Sequence, residues 1–206
     1  MASLDKYEEL VAFFDRHQEP KQEEMDRWGE VFTPPKLVEE MLDRWTRIDP
    51  RIWSDPTRTF LDPANGIGNF PALVYHRLMK GLTGEMPDAA ERKRHILENM
   101  LYMCEINPAN IEMTRQIFDP DGQYRLNLFA GSFFDLDVAK VWGRSGFDAV
   151  LGNPPYQPPS QGKRGGKSLW PAFVQRSIEC LLRPGGFLVF VHPALWRQPE
   201  NGLHDL

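Results

Sequence analysis

Short apolar runs separated by stretches of helical spacing constrain this chain most. The runs are Thr59–Leu61, Leu101–Cys104, Tyr124–Phe129, Phe147–Leu151 and Phe187–Val191. Between them, apolar residues recur three and four positions apart, the period of a helix face. The first such pattern is Tyr7, Leu10, Val11 and Phe14, and the second is Leu37, Val38, Met41, Leu42 and Trp45, with Thr33 as its expected N-cap. Further helices are predicted from Pro71 to about Lys80, from an Asp88 cap to Asn99, from Asn107-Pro108 to about Phe118, and from Leu169 to Leu182. Strands alternating with helices predict an α/β fold with a parallel sheet and right-handed crossovers. The sequence runs out soon after the last strand, so the sheet is expected to be unfinished.

The strand ends carry the polar residues. In such sheets ligands sit in the crevice beyond the carboxyl ends of the strands. The first strand runs into Asp62-Pro63-Ala64-Asn65-Gly66-Ile67-Gly68-Asn69-Phe70, where Gly66 and Gly68 permit a tight turn and close approach to a ligand. The third glycine of a dinucleotide fingerprint is replaced by Phe70 and Pro71, which argues against NAD or FAD. Asp62 suits an ammonium group, directly or through water. Glu105 ends the second strand, where an acid can accept the hydroxyls of a ribose. Asp135, in Gly131-Ser132-Phe133-Phe134-Asp135, can accept an adenine amine while Phe134 or Ile106 packs on the ring; it would serve equally as a helix N-cap. The fourth strand breaks at Gly152 into Asn153-Pro154-Pro155-Tyr156, an amide, two rigid carbonyls and an aromatic ring that suit a planar group bearing an amine. Each feature alone has a plain structural reading as a turn or a solvated acid. Their convergence on one sheet edge favours a site.

Composition narrows the setting. With 206 residues, 41% hydrophobic and 26% charged, the chain is long enough for one globular domain. Nothing in it has membrane-spanning length or a signal-peptide layout, so a cytoplasmic protein is expected. Cys104 and Cys180 lie in apolar runs and read as reduced core residues, and no metal-ligand spacing is present. A net charge of −5 excludes a general basic nucleic-acid binder; the one basic cluster is Lys163, Arg164 and Lys167 in a loop rich in Gly, Pro, Ser and Gln.

From about Gly29 to Trp196 the ordered motifs resemble those of the S-adenosylmethionine-dependent N6-adenine DNA methyltransferases, most closely the type I and type IIG-like group whose cofactor motifs precede the catalytic one. Gly29-Glu30-Val31-Phe32-Thr33-Pro34-Pro35 is similar to the family's N-terminal motif, with Thr33 and Pro34 bordering the methionine part of the cofactor. Asp62 to Phe70 resembles the glycine-rich motif, although Asn65-Gly66-Ile67-Gly68 stands where Cys-Gly-Ser-Gly is frequent. The resemblance implies that Pro63, Ala64, Gly66, Gly68, Asn69 and Phe70 also border the cofactor. It implies that Glu105 binds the ribose, that Asp135 accepts the adenine amine beside Ile106 and Phe134, and that Asn153-Pro154-Pro155-Tyr156 is catalytic. It also implies a Rossmann-like S-adenosylmethionine methyltransferase sheet.

The implied reaction is methyl transfer to N6 of an adenine flipped out of DNA. Tyr156 would stack on the base, and the Asn153 side-chain oxygen and Pro154 carbonyl would accept the amine. The expected organisation is an N-terminal helical segment, 1–28, and a catalytic core, 29–206, without the later strands and the target-recognition domain. DNA, and a specificity subunit or that recognition domain, are the expected partners. The tetrapeptide also occurs in RNA and protein-glutamine methyltransferases, and a non-catalytic subunit needing a partner is a further alternative.

Overall fold

The computed structural model describes residues 3–17, 33–156 and 168–194. Its strands are β1 (Phe60–Asp62), β2 (Leu101–Glu105), β3 (Asn127–Ala130), β4 (Phe147–Gly152) and β5 (Leu182–Phe190). All pairings are parallel, in the order β3-β2-β1-β4-β5. After β3 the chain crosses back to pair β4 with β1. The strand order reverses there, and the crevice opens between their carboxyl ends.

Helices cover both faces. Helix α1 (Tyr7–Arg16), α2 (Pro35–Ile48) and α3 (Asn69–Gly81) pack on one face. Helix α4 (Ala89–His95) continues into a π-turn, Ile96–Met100, that packs there too. Alternate strand residues point to opposite faces: Phe60, Leu101 and Met103 join Leu10, Phe14, Val38, Leu42 and Leu73, whereas Leu61, Tyr102 and Cys104 face Phe133, Phe173 and Leu181. Full burial of Leu10 and Phe14 contributes roughly 1.5–3 kcal/mol each, which ties α1 to the core on this face. Helix α5 (Pro108–Phe118) links β2 to β3, and α6 (Val138–Trp142) precedes β4. Helix α7 (Trp170–Arg176) leads through a π-turn, Ser177–Leu181, into β5. Among the described residues, no helix is long and apolar enough to cross a membrane.

The expected cap at Asp88 forms, its carboxylate accepting the Glu91 N–H, and Asn107, where a helix was expected to start, caps α5 by accepting the Ala109 N–H. Thr33 is not a cap. Helix α2 starts after Pro34, and the buried Thr33 hydroxyl makes no hydrogen bond to the described residues. Strand β3 begins at Asn127 rather than Tyr124, because the Asp119 carboxylate holds the N–H groups of Gln123 and Tyr124 in a turn. Strand β5 begins earlier than the sequence predicts. Phe147 pairs with Leu182 and Ala149 with Phe187, so Arg183–Gly186 bulges out of the ladder, with Gly185 at φ +77°. Cys104 is buried but Cys180 is exposed on the π-turn, contrary to its reading as a core residue.

Candidate functional site

The carboxyl ends of β1, β2 and β4 meet around Asp62. Its side chain is buried, and one carboxylate oxygen accepts the Ala64 N–H at 3.0 Å. Burial, with the nearby charge of Glu105, pushes the Asp62 carboxyl up to about 8 despite that hydrogen bond. Gly152, the last residue of β4, passes directly over it. A Cβ there would lie 2.6 Å from Asp62 Oδ1, and the backbone is at φ +151°, so the position calls for glycine. Asn153 follows at once. The first strand's acid and the fourth strand's polar tetrapeptide are therefore neighbours across the switch point.

The glycine loop leaves β1 as a tight turn with Gly66 at φ +57° and Gly68 at φ +98°. Gly68 also sits against Phe118, where a Cβ would be 2.7 Å from the ring. The loop is bound to β2 from above and below. The Asn65 N–H donates to the Cys104 carbonyl at 2.9 Å, and the Gly66 N–H donates to Glu105 Oε2 at 2.6 Å. Glu105 Oε1 accepts the N–H groups of Ile106 and Asn107 at 2.9 and 2.7 Å. The Asn65 amide donates to Thr114 Oγ1 at 2.7 Å, and the Asn69 amide donates to the Thr33 carbonyl at 2.9 Å. The last bond brings the segment before α2 onto the start of α3. Asn65 Oδ1, Asn69 Oδ1 and Thr33 Oγ1 are buried acceptors without a hydrogen-bond partner among the described residues. Buried polar atoms of this kind call for a ligand or water.

The remaining predicted residues divide into an exposed set and a packed set. Ile106 and Phe134 are large apolar side chains left 45% and 38% exposed after the ends of β2 and β3. Asp135 is exposed at the end of a 3₁₀ turn, Phe133–Asp135; the N-cap of α6 is Asp137, whose carboxylate accepts two backbone N–H groups. Phe133 stacks on Phe173 at 4.8 Å, and Phe134 meets the same ring edge-on at 5.0 Å. Pro63 and Phe70 are buried, Phe70 within the core beneath the loop, whereas Ala64 is half-buried and Pro34 exposed.

The tetrapeptide is anchored from the far side. The Tyr156 carbonyl accepts the Leu169 N–H at 2.9 Å and the Ser168 hydroxyl at 3.0 Å. Its half-buried ring packs on Trp170 and Val174, and burial raises the phenol's pKa. Pro154 is buried; Asn153 and Pro155 are half-buried. Sequence reasoning missed Gly152 as a site residue, although a glycine between a buried strand and a polar tetrapeptide was the available signal. It also missed the Ser168–Trp170 anchor, which no local pattern announces. Gly29–Phe32 and the Lys163, Arg164, Lys167 cluster lie outside the described residues.

Known proteins resemble this chain in sequence and in fold. The Eco57I restriction-modification methylase family model matches residues 91–206. An uncharacterized adenine-specific methylase of Mycoplasma pneumoniae is 37% identical over 87 residues, which are 42% of this chain and 21% of that protein. The modification subunit of a putative type I restriction enzyme from Vibrio vulnificus superposes with a TM-score of 0.59 at 17% identity, over 92% of this chain and 38% of that one. A putative class I S-adenosylmethionine-dependent methyltransferase from Listeria monocytogenes superposes with a TM-score of 0.57 at 13% identity, over 98% of this chain and 59% of that one. The chain thus spans about a fifth of the curated relative it matches and well under half of the Vibrio subunit.

Proposed function

The chain belongs to the Eco57I restriction-modification methylase family, and from that premise we propose that it is the catalytic core of a DNA methyltransferase that methylates adenine N6 with S-adenosylmethionine. One observation carries the proposal: Gly152 lets the buried Asp62 carboxylate lie against the start of Asn153-Pro154-Pro155-Tyr156. A cation held by Asp62 and an amine held by the tetrapeptide would therefore be adjacent.

The residues suit the cofactor. Asp62 would hold the ammonium group, with Thr33 and Pro34 bordering the methionine moiety. Gly66 and Gly68 would let the backbone approach, along the loop from Pro63 and Ala64 to Asn69 and Phe70. The buried oxygens of Asn65, Asn69 and Thr33, without hydrogen-bond partners among the described residues, support a polar ligand beside that loop. Glu105 would receive the ribose hydroxyls, which must compete with the Gly66 N–H for Oε2. Ile106 and Phe134 would flank the adenine ring, with Asp135 accepting its amine. When bound, S-adenosylmethionine supplies a methyl group on an electron-poor sulfonium.

The chain's own residues do the rest. The target adenine must leave the duplex for its N6 to be reached. The Asn153 side-chain oxygen and Pro154 carbonyl would accept the two N6 hydrogens, directing the nitrogen lone pair at the methyl. Tyr156 would stack on the base, its ring fixed by Trp170 and its carbonyl by Ser168 and Leu169. The amine is a weak nucleophile, so orientation and preorganised acceptors supply the acceleration. The nitrogen gains one carbon and releases one proton to solvent. DNA is the partner of this reading. A specificity subunit or a recognition domain would choose the sequence.

The test is transfer of tritiated methyl to DNA, RNA and protein offered together, followed by nucleoside analysis. Label in N6-methyladenine of DNA supports the proposal; label entering only RNA or protein sinks it.

A further inference from the structure

At the opposite end of the strands, where β2, β3, β4 and β5 begin, a second groove of about 630 Å³ opens. It lies within the size range of small-ligand sites. Three arginines line it: Arg125 before β3, Arg144 before β4 and Arg183 in β5. The one acid among the described lining residues is Glu98. Its Oε1 already accepts Arg94 and the Arg125 backbone N–H, both at 3.1 Å. On a chain of net charge −5, this is a local concentration of positive charge.

The three guanidinium groups differ in how far they are neutralised. Arg125 is exposed, and no carboxylate among the described residues pairs with it. Arg144 is held in place by neutral partners. Its Nε donates to the Tyr102 hydroxyl at 2.6 Å, and the guanidinium lies over the Tyr102 ring at 4.8 Å. It is therefore positioned without losing its charge. Arg183 reaches Asp148 at 3.1 Å, a carboxylate that Arg58 also approaches at 3.6 Å.

Helix ends at this edge would ordinarily repel an anion, because carbonyls point outward from a helix C-terminus. At the end of the Ile96–Met100 turn some of those carbonyls are covered. Asn127 Nδ2 donates to the Glu98 and Leu101 carbonyls at 2.9 and 3.1 Å, and Arg144 donates to the Asn99 carbonyl at 3.3 Å. Trp142 walls the groove, its ring set edge-on against Tyr102 at 5.1 Å.

We infer that this groove is a binding site for a phosphate-bearing anion, separate from the site at the carboxyl ends of the strands. Planar guanidinium forks match phosphate oxygens in pairs, and three arginines lining one groove favour a ligand with more than one negative charge. The groove requires no contribution from Asp62, Glu105 or the tetrapeptide.

The test is a calorimetric titration of the chain with sodium tripolyphosphate, with and without saturating S-adenosylmethionine. Saturable binding that S-adenosylmethionine does not displace is expected. Arg125→Ala and Arg183→Ala should each weaken it about tenfold, the value of a charged hydrogen bond, and Arg125→Lys should restore part of the loss. Arg125 is exposed, so its replacement leaves the fold intact, which a melting curve verifies. Competition by duplex DNA would assign the phosphates to a nucleic-acid backbone, and competition by ATP alone to a nucleotide; either keeps the inference. It is overturned if tripolyphosphate does not saturate the chain, if both alanine variants bind as tightly as the parent, or if S-adenosylmethionine displaces the probe.

Discussion

Replacing Asp62 with asparagine should stabilise the cofactor-free chain increasingly as pH rises. The carboxyl is held at about 8, against 3.8 for an ordinary aspartate. Between those values Asp62 keeps its proton in the folded chain and loses it in the unfolded one. The unfolded state then binds fewer protons, so the fold weakens with rising pH, by about 1.4 kcal/mol per unit, and levels off above pH 8. The difference of about four units sets a ceiling of about 6 kcal/mol. Asparagine does not titrate, and its oxygen can still accept the Ala64 N–H that Asp62 now accepts at 3.0 Å. From pH 5.0 to 8.5 the advantage of Asp62→Asn over the parent should therefore grow by roughly 2–4 kcal/mol. In thermal melts that is a gain of several degrees for a chain of this size. The same variant should lose S-adenosylmethionine binding, since an amide, unlike the carboxyl, cannot give up a proton to pair with an ammonium group. An advantage that is constant with pH, or a parent more stable at pH 8.5, would show that Asp62 is not held protonated by its burial.

Other substitutions probe neighbouring contacts. Gly152→Ala puts a Cβ 2.6 Å from Asp62 Oδ1 on strained backbone; it should cost about 1–3 kcal/mol in urea denaturation and abolish cofactor binding. Glu105→Gln turns an amide toward one of the N–H groups of Gly66, Ile106 and Asn107 that the carboxylate now accepts; a loss of about 1–3 kcal/mol is expected, with faster hydrogen exchange in the glycine loop. Phe173→Ala removes the ring stacked on Phe133 and edge-on to Phe134; it should destabilise by about 3–5 kcal/mol and weaken cofactor binding in calorimetry as Phe134 loses its support.

Much of the site was legible because its residues sit where strands stop. Asp62, Glu105 and Asn153 could be placed at carboxyl ends from the apolar runs before them, Asp88 could be read as a cap, and Asn107-Pro108 could be read as a helix start. Strand order was not legible. Only the fold reveals that β4 lies beside β1, which makes Gly152 and Asp62 neighbours. Distant side chains moved element boundaries: Asp119 delays β3 by holding Gln123 and Tyr124. Helix α6 escaped notice because its length, Val138–Trp142, is too short to show a period. Its signals were Asp137 at one end and Gly143, at φ +65°, at the other. The arginine groove was invisible because Arg125, Arg144 and Arg183 are far apart in sequence and meet only where strands begin.

Calorimetric titration decides whether the ends of β1 and β2 form an S-adenosylmethionine site facing Asn153. One S-adenosylmethionine should bind per chain, Asp62→Asn and Glu105→Gln should each abolish or strongly weaken binding, and Asn153→Ala should retain it. A chain that binds no S-adenosylmethionine, or binding that survives both acid substitutions, would contradict such a site.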